Sequence, residues 1–123
     1  MNQQDKELLL KDLCARLPYG VIMQMNNHNY LPAKLKSIDI DKELLEIGTI
    51  HDVFLDACKP YLRPMSSMTE EEIDTMWDIS ENNAGAEGSS KITDLLNKWN
   101  LDHHHLIEKG LAIEAPEGMY KKI

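Results

Sequence analysis

The spacing of apolar residues changes twice along this chain, and that change limits what it can fold into. Leu10, Leu13, Cys14 and Leu17 fall at i, i+3, i+4 and i+7, one face of a helix. From Tyr19 to Leu55 that period is lost, replaced by short runs rich in β-branched and aromatic residues between turn-forming residues. Beyond Thr69 it returns, in Ile73, Met76 and Trp77 and again in Ile92, Leu95, Leu96 and Trp99. Helix, strands, helices predicts an α+β fold: an N-terminal helix, a small curled antiparallel sheet of SH3-like type with three to five strands, and a C-terminal part of about three helices. A chain of 123 residues, 42% hydrophobic, fits a single compact domain. Within it, residues 1–65 form a helix-plus-sheet subdomain and 66–123 a helical one.

Local signals place the elements. Asp5 is a candidate N-cap for a helix over 6–17, and Pro18 ends it by disfavouring helical geometry at Leu17. Tyr19–Met25 reads as a strand and Asn26–Asn29 as a turn. In residues 33–40, Lys34 and Lys36 point outward, but the apolar parity shifts at Ile38, which predicts a bulge near Ser37. Leu44–Ile47 and Thr49–Leu55 read as third and fourth strands around Gly48. Asp56–Tyr61 reads as a single turn, and Lys59–Pro64 as an extended strap bracketed by Pro60 and Pro64.

The sharpest local signal is at Thr69. Thr69 and Glu72 have capping-box spacing, Met68 and Ile73 stand at the hydrophobic-staple positions, and Glu70, Glu71 and Glu72 fill the first turn. A helix over 70–79 follows, with Ile73, Met76 and Trp77 as its buried face, and Trp77 and Trp99 packing between helices and sheet. Residues 82–90, NNAGAEGSS, read as a mobile linker, with Ser89 or Ser90 capping the next helix. Asp102 reads as the cap of a short helix over about 103–109, and Leu111–Ala115 as a last short strand or an extended tail before Pro116.

Charge narrows the function classes. There are 13 Lys+Arg against 21 Asp+Glu, and residues 66–123 carry 5 basic and 12 acidic groups. No Lys or Arg occurs from Thr69 to Ser90. A net charge of −8 disfavours free-standing nucleic-acid binding and leaves the C-terminal half suited to a cationic partner. No apolar run is long enough for a bilayer, and the first residues lack a signal-peptide pattern, so a cytoplasmic protein is expected. Cys14 and Cys58 lack CxxC spacing and are expected to remain thiols.

Three groups of residues could carry chemistry. Lys59, Tyr61 and Arg63 share one parity of the strap and could meet a carboxylate, a phosphate or a peptide backbone; otherwise Tyr61 or Leu62 plugs the core and Arg63 pairs with an acid. Glu70 with Asp74, and Asp74 with Asp78, are i, i+4 carboxylate pairs, read first as a solvated face, then as a docking surface for a basic partner. His103, His104 and His105 read as a polar first helical turn, because neighbours on a helix point about 100° apart and one metal does not easily collect all three. His28, His51, Cys14 and Cys58 lack a recognised ligand spacing, so neither metal nor cofactor is expected. Cys14 is expected to be buried, and Lys59 could lower the pKa of Cys58. No catalytic motif is found.

The segments KPYLRPMSSMTEEE (59–72) and LIEKGLAIEAPEGMY (106–120), with LPYG at 17–20, resemble a family of short uncharacterised proteins from phages and integrated elements of Bacteroidetes-type gut bacteria. The resemblance spans most of the chain and implies a mobile-element origin. Relatives are expected to carry a Tyr-Arg-Gly type of sequence where this chain has His103–His105, which makes the histidines look like local variation. The function expected from all of this is non-catalytic: an accessory or regulatory protein that binds another protein. One alternative is nucleic-acid binding through Lys34, Lys36, Lys59 and Arg63; another is a divalent-metal hydrolase using the acidic helix.

Overall fold

A computed structural model of the chain describes residues 1–27, 29–83 and 85–120. It is an α+β fold: helix α1 (Gln3–Arg16), five strands β1 (Ile22–Met25), β2 (Ala33–Asp39), β3 (Leu44–Ile47), β4 (Ile50–Phe54) and β5 (Cys58–Leu62), helices α2 (Glu70–Asn82) and α3 (Gly85–Lys98), and a short β6 (Ile113–Glu114). The strands form one open sheet in the order β4-β3-β2-β1-β5-β6. It has six strands where three to five were expected. It is also mixed, because β6 lies parallel to β5 whereas the other pairs are antiparallel.

The turns and caps explain most boundaries. The N-cap of α1 is Asn2, whose side chain accepts from the Asp5 N–H, so the helix starts a turn before the expected Asp5 cap. Pro18 ends it by forming a single 3₁₀ turn over Leu17–Tyr19. The register between β2 and β3 shifts between Leu35 and Ser37, where the parity of the sequence predicted a bulge. Gly48 joins β3 to β4 at φ +58, and a Cβ there would stand 2.9 Å from the Ala33 Cβ, so glycine is required on both counts.

Residues 59–64 do not form a free strap, because 58–62 are built into the sheet as β5 between β1 and β6. Pro60 is tolerated in that interior strand for a geometric reason. It pairs with Met23 and cannot donate, so the pair must be a non-hydrogen-bonded one, and β6 begins opposite the next residue, Tyr61. Tyr120 closes this region: the Ile22 N–H donates to its Oη at 2.7 Å, and its O–H donates to the Tyr61 carbonyl at 2.7 Å. Burial raises the pKa of that phenol to about 12.

The main core joins Leu9 and Leu13 of α1 to Val21, Met23, Leu35, Leu45, Ile47, Val53, Leu55, Cys58 and Leu62 of the sheet region, and is closed by Leu106, Leu111 and Ala112. A smaller cluster, Leu96, Trp99 and Leu101, gathers Met68, Met76, Ile92 and Leu95 around it. Trp99 is therefore buried, but in the helical cluster and not in the core shared with the sheet, whereas Trp77 is 64% exposed and packs into neither cluster.

Asn82 ends α2 and residues 85–90 open α3, so the described residues of the expected linker are largely helical. Helix α3 begins at Gly85, and Gly88 is buried where a Cβ would lie 2.4 Å from the Asn83 carbonyl oxygen, so only glycine lets the two helices turn this tightly. Helix α3 ends in a Schellman motif with Asn100 at φ +56: the Leu101 N–H reaches the Leu96 carbonyl and the Asn100 N–H the Asn97 carbonyl. No helix forms over 103–109. Asp102 nevertheless caps the turn there, accepting from the N–H groups of Leu106 and Ile107 at 2.7 and 3.0 Å. Among the described residues two α-helices follow the sheet, and no helix is long and apolar enough to cross a membrane.

Candidate functional site

Helices α2 and α3 carry an apolar groove. The capping box at Thr69 is complete: the Glu72 N–H donates to the Thr69 hydroxyl oxygen, and the Thr69 N–H donates to a Glu72 carboxylate oxygen. Arg63 at the end of β5 holds the same carboxylate with two bonds of 2.7 and 2.8 Å and also donates to the Ser67 carbonyl. This anchor lowers the pKa of Glu72, chiefly through the Arg63 hydrogen bonds, and fixes how α2 leaves the sheet. Met68, Ile73, Met76, Trp77 and Ser80 then face Ile92 of α3 across a groove of about 290 Å³.

The sequence period had marked Ile73, Met76 and Trp77 as a buried face, and here the structure differs. No residue of α2 is fully buried. Met68, Met76 and Ile92 are half-buried against the Trp99 cluster, whereas Ile73 and Trp77 are left exposed at 39% and 64%. At 3.6 residues per turn, Glu70, Asp74 and Glu81 all project within about 60° of Trp77 around α2. All three are exposed, so the apolar line has an acidic border on its Trp77 side.

A second, polar site lies between α1 and the segment that follows α3. Asp12 and Arg16, one turn apart on α1, are both wholly buried. Arg16 Nε donates to Asp12 Oδ1 at 2.6 Å, and Nη2 donates to Asp12 Oδ2 at 3.1 Å and to the Leu101 carbonyl at 2.8 Å. His104 Nδ1 lies 2.7 Å from Asp12 Oδ2, and His103 Nε2 lies 2.8 Å from Asn97 Oδ1. The two rings stand 4.1 Å apart between centroids. Burial pushes the pKa of His103 down to about 4, with the charges of His104 and Arg16 adding to the effect.

The structure separates the residues that sequence had grouped. Lys59 and Tyr61 do lie on one face of β5, but Tyr61 donates to Gln24 Oε1, and Arg63 is taken up by Glu72, which is the structural alternative foreseen for it. Leu62, at 0% exposure, plugs the core. Lys34 and Lys36 are exposed on β2, so the four-cation surface envisaged for nucleic acid loses Arg63 to an ion pair. Glu70 and Asp74 are exposed on α2. Among the described residues no acidic trio on that helix comes close enough to hold an ion. Cys14 is half-buried, and the thiol of Cys58 is not activated by Lys59: burial and Asp56 raise its pKa to about 12. His28 lies outside the described residues.

Sequence reasoning missed the Asp12–Arg16–His104 network. Asp12 and Arg16 have i, i+4 spacing, but nothing local shows that this pair is buried or that His104, 92 residues away, meets it. No protein-family model, no curated protein and no solved structure matches this chain.

Proposed function

We propose that this protein is a non-catalytic binding protein that takes a basic amphipathic segment of a protein partner into the α2–α3 groove. The observation that carries this reading is Trp77, 64% exposed at the edge of an apolar groove, in a stretch that contains no Lys or Arg. A tryptophan buries up to about 250 Å², so covering the exposed part removes about 160 Å² from water, a ceiling of about 4 kcal/mol. Ordering costs cut that to about 2 kcal/mol, the size of an interface hot spot. Glu70, Asp74 and Glu81 select the partner's charge by pairing with Lys or Arg beside its apolar face. The resemblance to mobile-element proteins supports an accessory or regulatory role in the cytoplasm of a bacterial host.

Fluorescence titration on a Trp99→Phe background, which leaves Trp77 as the sole tryptophan, tests this reading. The probe is a Leu/Lys amphipathic helical peptide, with its Leu/Glu counterpart as control. The expected result is a Trp77 blue shift with the Lys peptide only, and weaker binding in the Glu70→Lys/Asp74→Lys pair. Anisotropy of a fluorescein-labelled Lys peptide, which needs no tryptophan, should show binding weakened about 30-fold or more by Trp77→Ala. Equal binding of both peptides, or none, would overturn it.

A further inference from the structure

We propose that Asp12, His103 and His104 form a site for a divalent transition-metal ion of the zinc class, tying α1 to the loop that follows α3. The inference does not depend on the groove. The three residues come from distant parts of the chain, yet one donor atom of each lies within 4.8 Å of the others. Two imidazoles and a carboxylate are a donor set that suits zinc, nickel or copper.

The backbone arranges this convergence. The Schellman turn at Asn100 and the pairing of Arg63 with the 100–102 segment direct the chain back toward α1. His103 and His104 then sit in a turn rather than on a helix, so their rings converge where a helix would splay them. His105 closes the turn at φ +58, a conformation that a non-glycine residue holds only when its surroundings impose it.

Each donor is already oriented. Arg16 fixes Asp12 through both oxygens, Nε on Oδ1 at 2.6 Å and Nη2 on Oδ2 at 3.1 Å, and Oδ2 also faces His104 Nδ1 at 2.7 Å. The Asn97 amide oxygen accepts from His103 Nε2–H, which leaves the Nδ1 lone pair free. This is the arrangement in which an outer hydrogen bond sets the tautomer of a metal-binding histidine. His104 Nδ1 and Asp12 Oδ2, 2.7 Å apart, need to open by less than about 1 Å to take an ion between them at ~2.0–2.1 Å from each. Binding through Nδ1 places the ring proton of neutral His104 on Nε2. Half-buried His103 and His104 provide the entry path to buried Asp12.

The guanidinium offsets the carboxylate charge, so hard cations that depend on anionic oxygen gain little here, and nitrogen-seeking metals are favoured. The network also leaves Arg16 Nη1 buried without a partner among the described residues. Such groups are costly, so the arrangement is not accounted for by stability alone.

Isothermal titration of the full chain with ZnCl₂, with MgCl₂ as comparison, is the test. Asp12 is left in place because it also holds Arg16. One zinc per chain and no magnesium binding are expected. His103→Ala and His104→Ala should each weaken zinc binding tenfold or more, and His105→Ala should change it less than twofold, all with wild-type circular dichroism. Zinc should raise the melting temperature of the wild type and not that of His104→Ala. Absence of zinc binding, binding unaltered by the His103 and His104 changes, or an equal loss in His105→Ala, which would mark adventitious chelation by the histidine run, would overturn the site.

Discussion

Removing Asp12 should damage this protein more than removing its partner, and removing both should restore part of the loss. Both side chains are wholly excluded from solvent, and Arg16 cannot shed its charge. In Asp12→Ala the guanidinium loses its bonds of 2.6 and 3.1 Å and keeps only the Leu101 carbonyl at 2.8 Å. An unpaired buried charge of this kind costs about 3–5 kcal/mol. In Arg16→Met the aliphatic volume is kept, and Asp12 retains its 2.7 Å contact with His104. That variant should lose only about 1–3 kcal/mol. The double variant Asp12→Ala/Arg16→Met has no charge left to bury. It should be more stable than Asp12→Ala, with a coupling energy of about 2 kcal/mol or more. A domain of this size has about 5–15 kcal/mol of stability, so each variant stays folded enough to measure. Urea denaturation followed through Trp99, with an unchanged m-value, reads all three differences. A cost below about 1 kcal/mol for Asp12→Ala, or simple additivity in the double variant, would refute the reading of Asp12–Arg16 as a desolvated pair.

Two further outcomes follow from the structure. Glu72→Gln keeps the capping-box partner but removes the charge that Arg63 binds, and should cost about 1–2 kcal/mol at pH 7 in urea denaturation. Because the folded-state pKa of Glu72 lies below its ordinary 4.5, the gap between wild type and variant should be constant above that value and close as pH falls through the folded-state pKa; a gap independent of pH down to 3 would contradict the pairing. Of the two thiols, half-buried Cys14 should react with iodoacetamide at pH 8 well before Cys58, whose pKa near 12 leaves almost no thiolate until urea exposes it; equal rates in the folded chain would contradict that burial.

Several features were legible because their causes lie within a few residues. The capping box needs only Thr69 and Glu72, the bulge only the parity shift at Ile38, and the turn at Gly48 only a residue free to adopt positive φ. The acidic stretch around α2 was equally plain, because it is a property of composition. Other readings failed because the deciding partner is distant. Pro60 argues locally against a strand, and only the non-hydrogen-bonded pairing with Met23 makes it acceptable. The glycines and serines of 82–90 suggest a linker, whereas Gly88 is there to let α3 touch Asn83.

By itself, then, the sequence determined the class of fold, the entry into α2 and the sign of the surface charge, since hydrophobic period, capping and net charge are local or additive quantities. Tertiary structure alone decided which apolar face stays open and which polar groups meet. The period that marks Trp77 as core cannot say whether a second layer exists to cover it. The i, i+4 spacing of Asp12 and Arg16 is as common on a surface as in a core. What gives that pair its physical weight is burial beneath a loop from the far end of the chain, and burial depends on where every other segment packs.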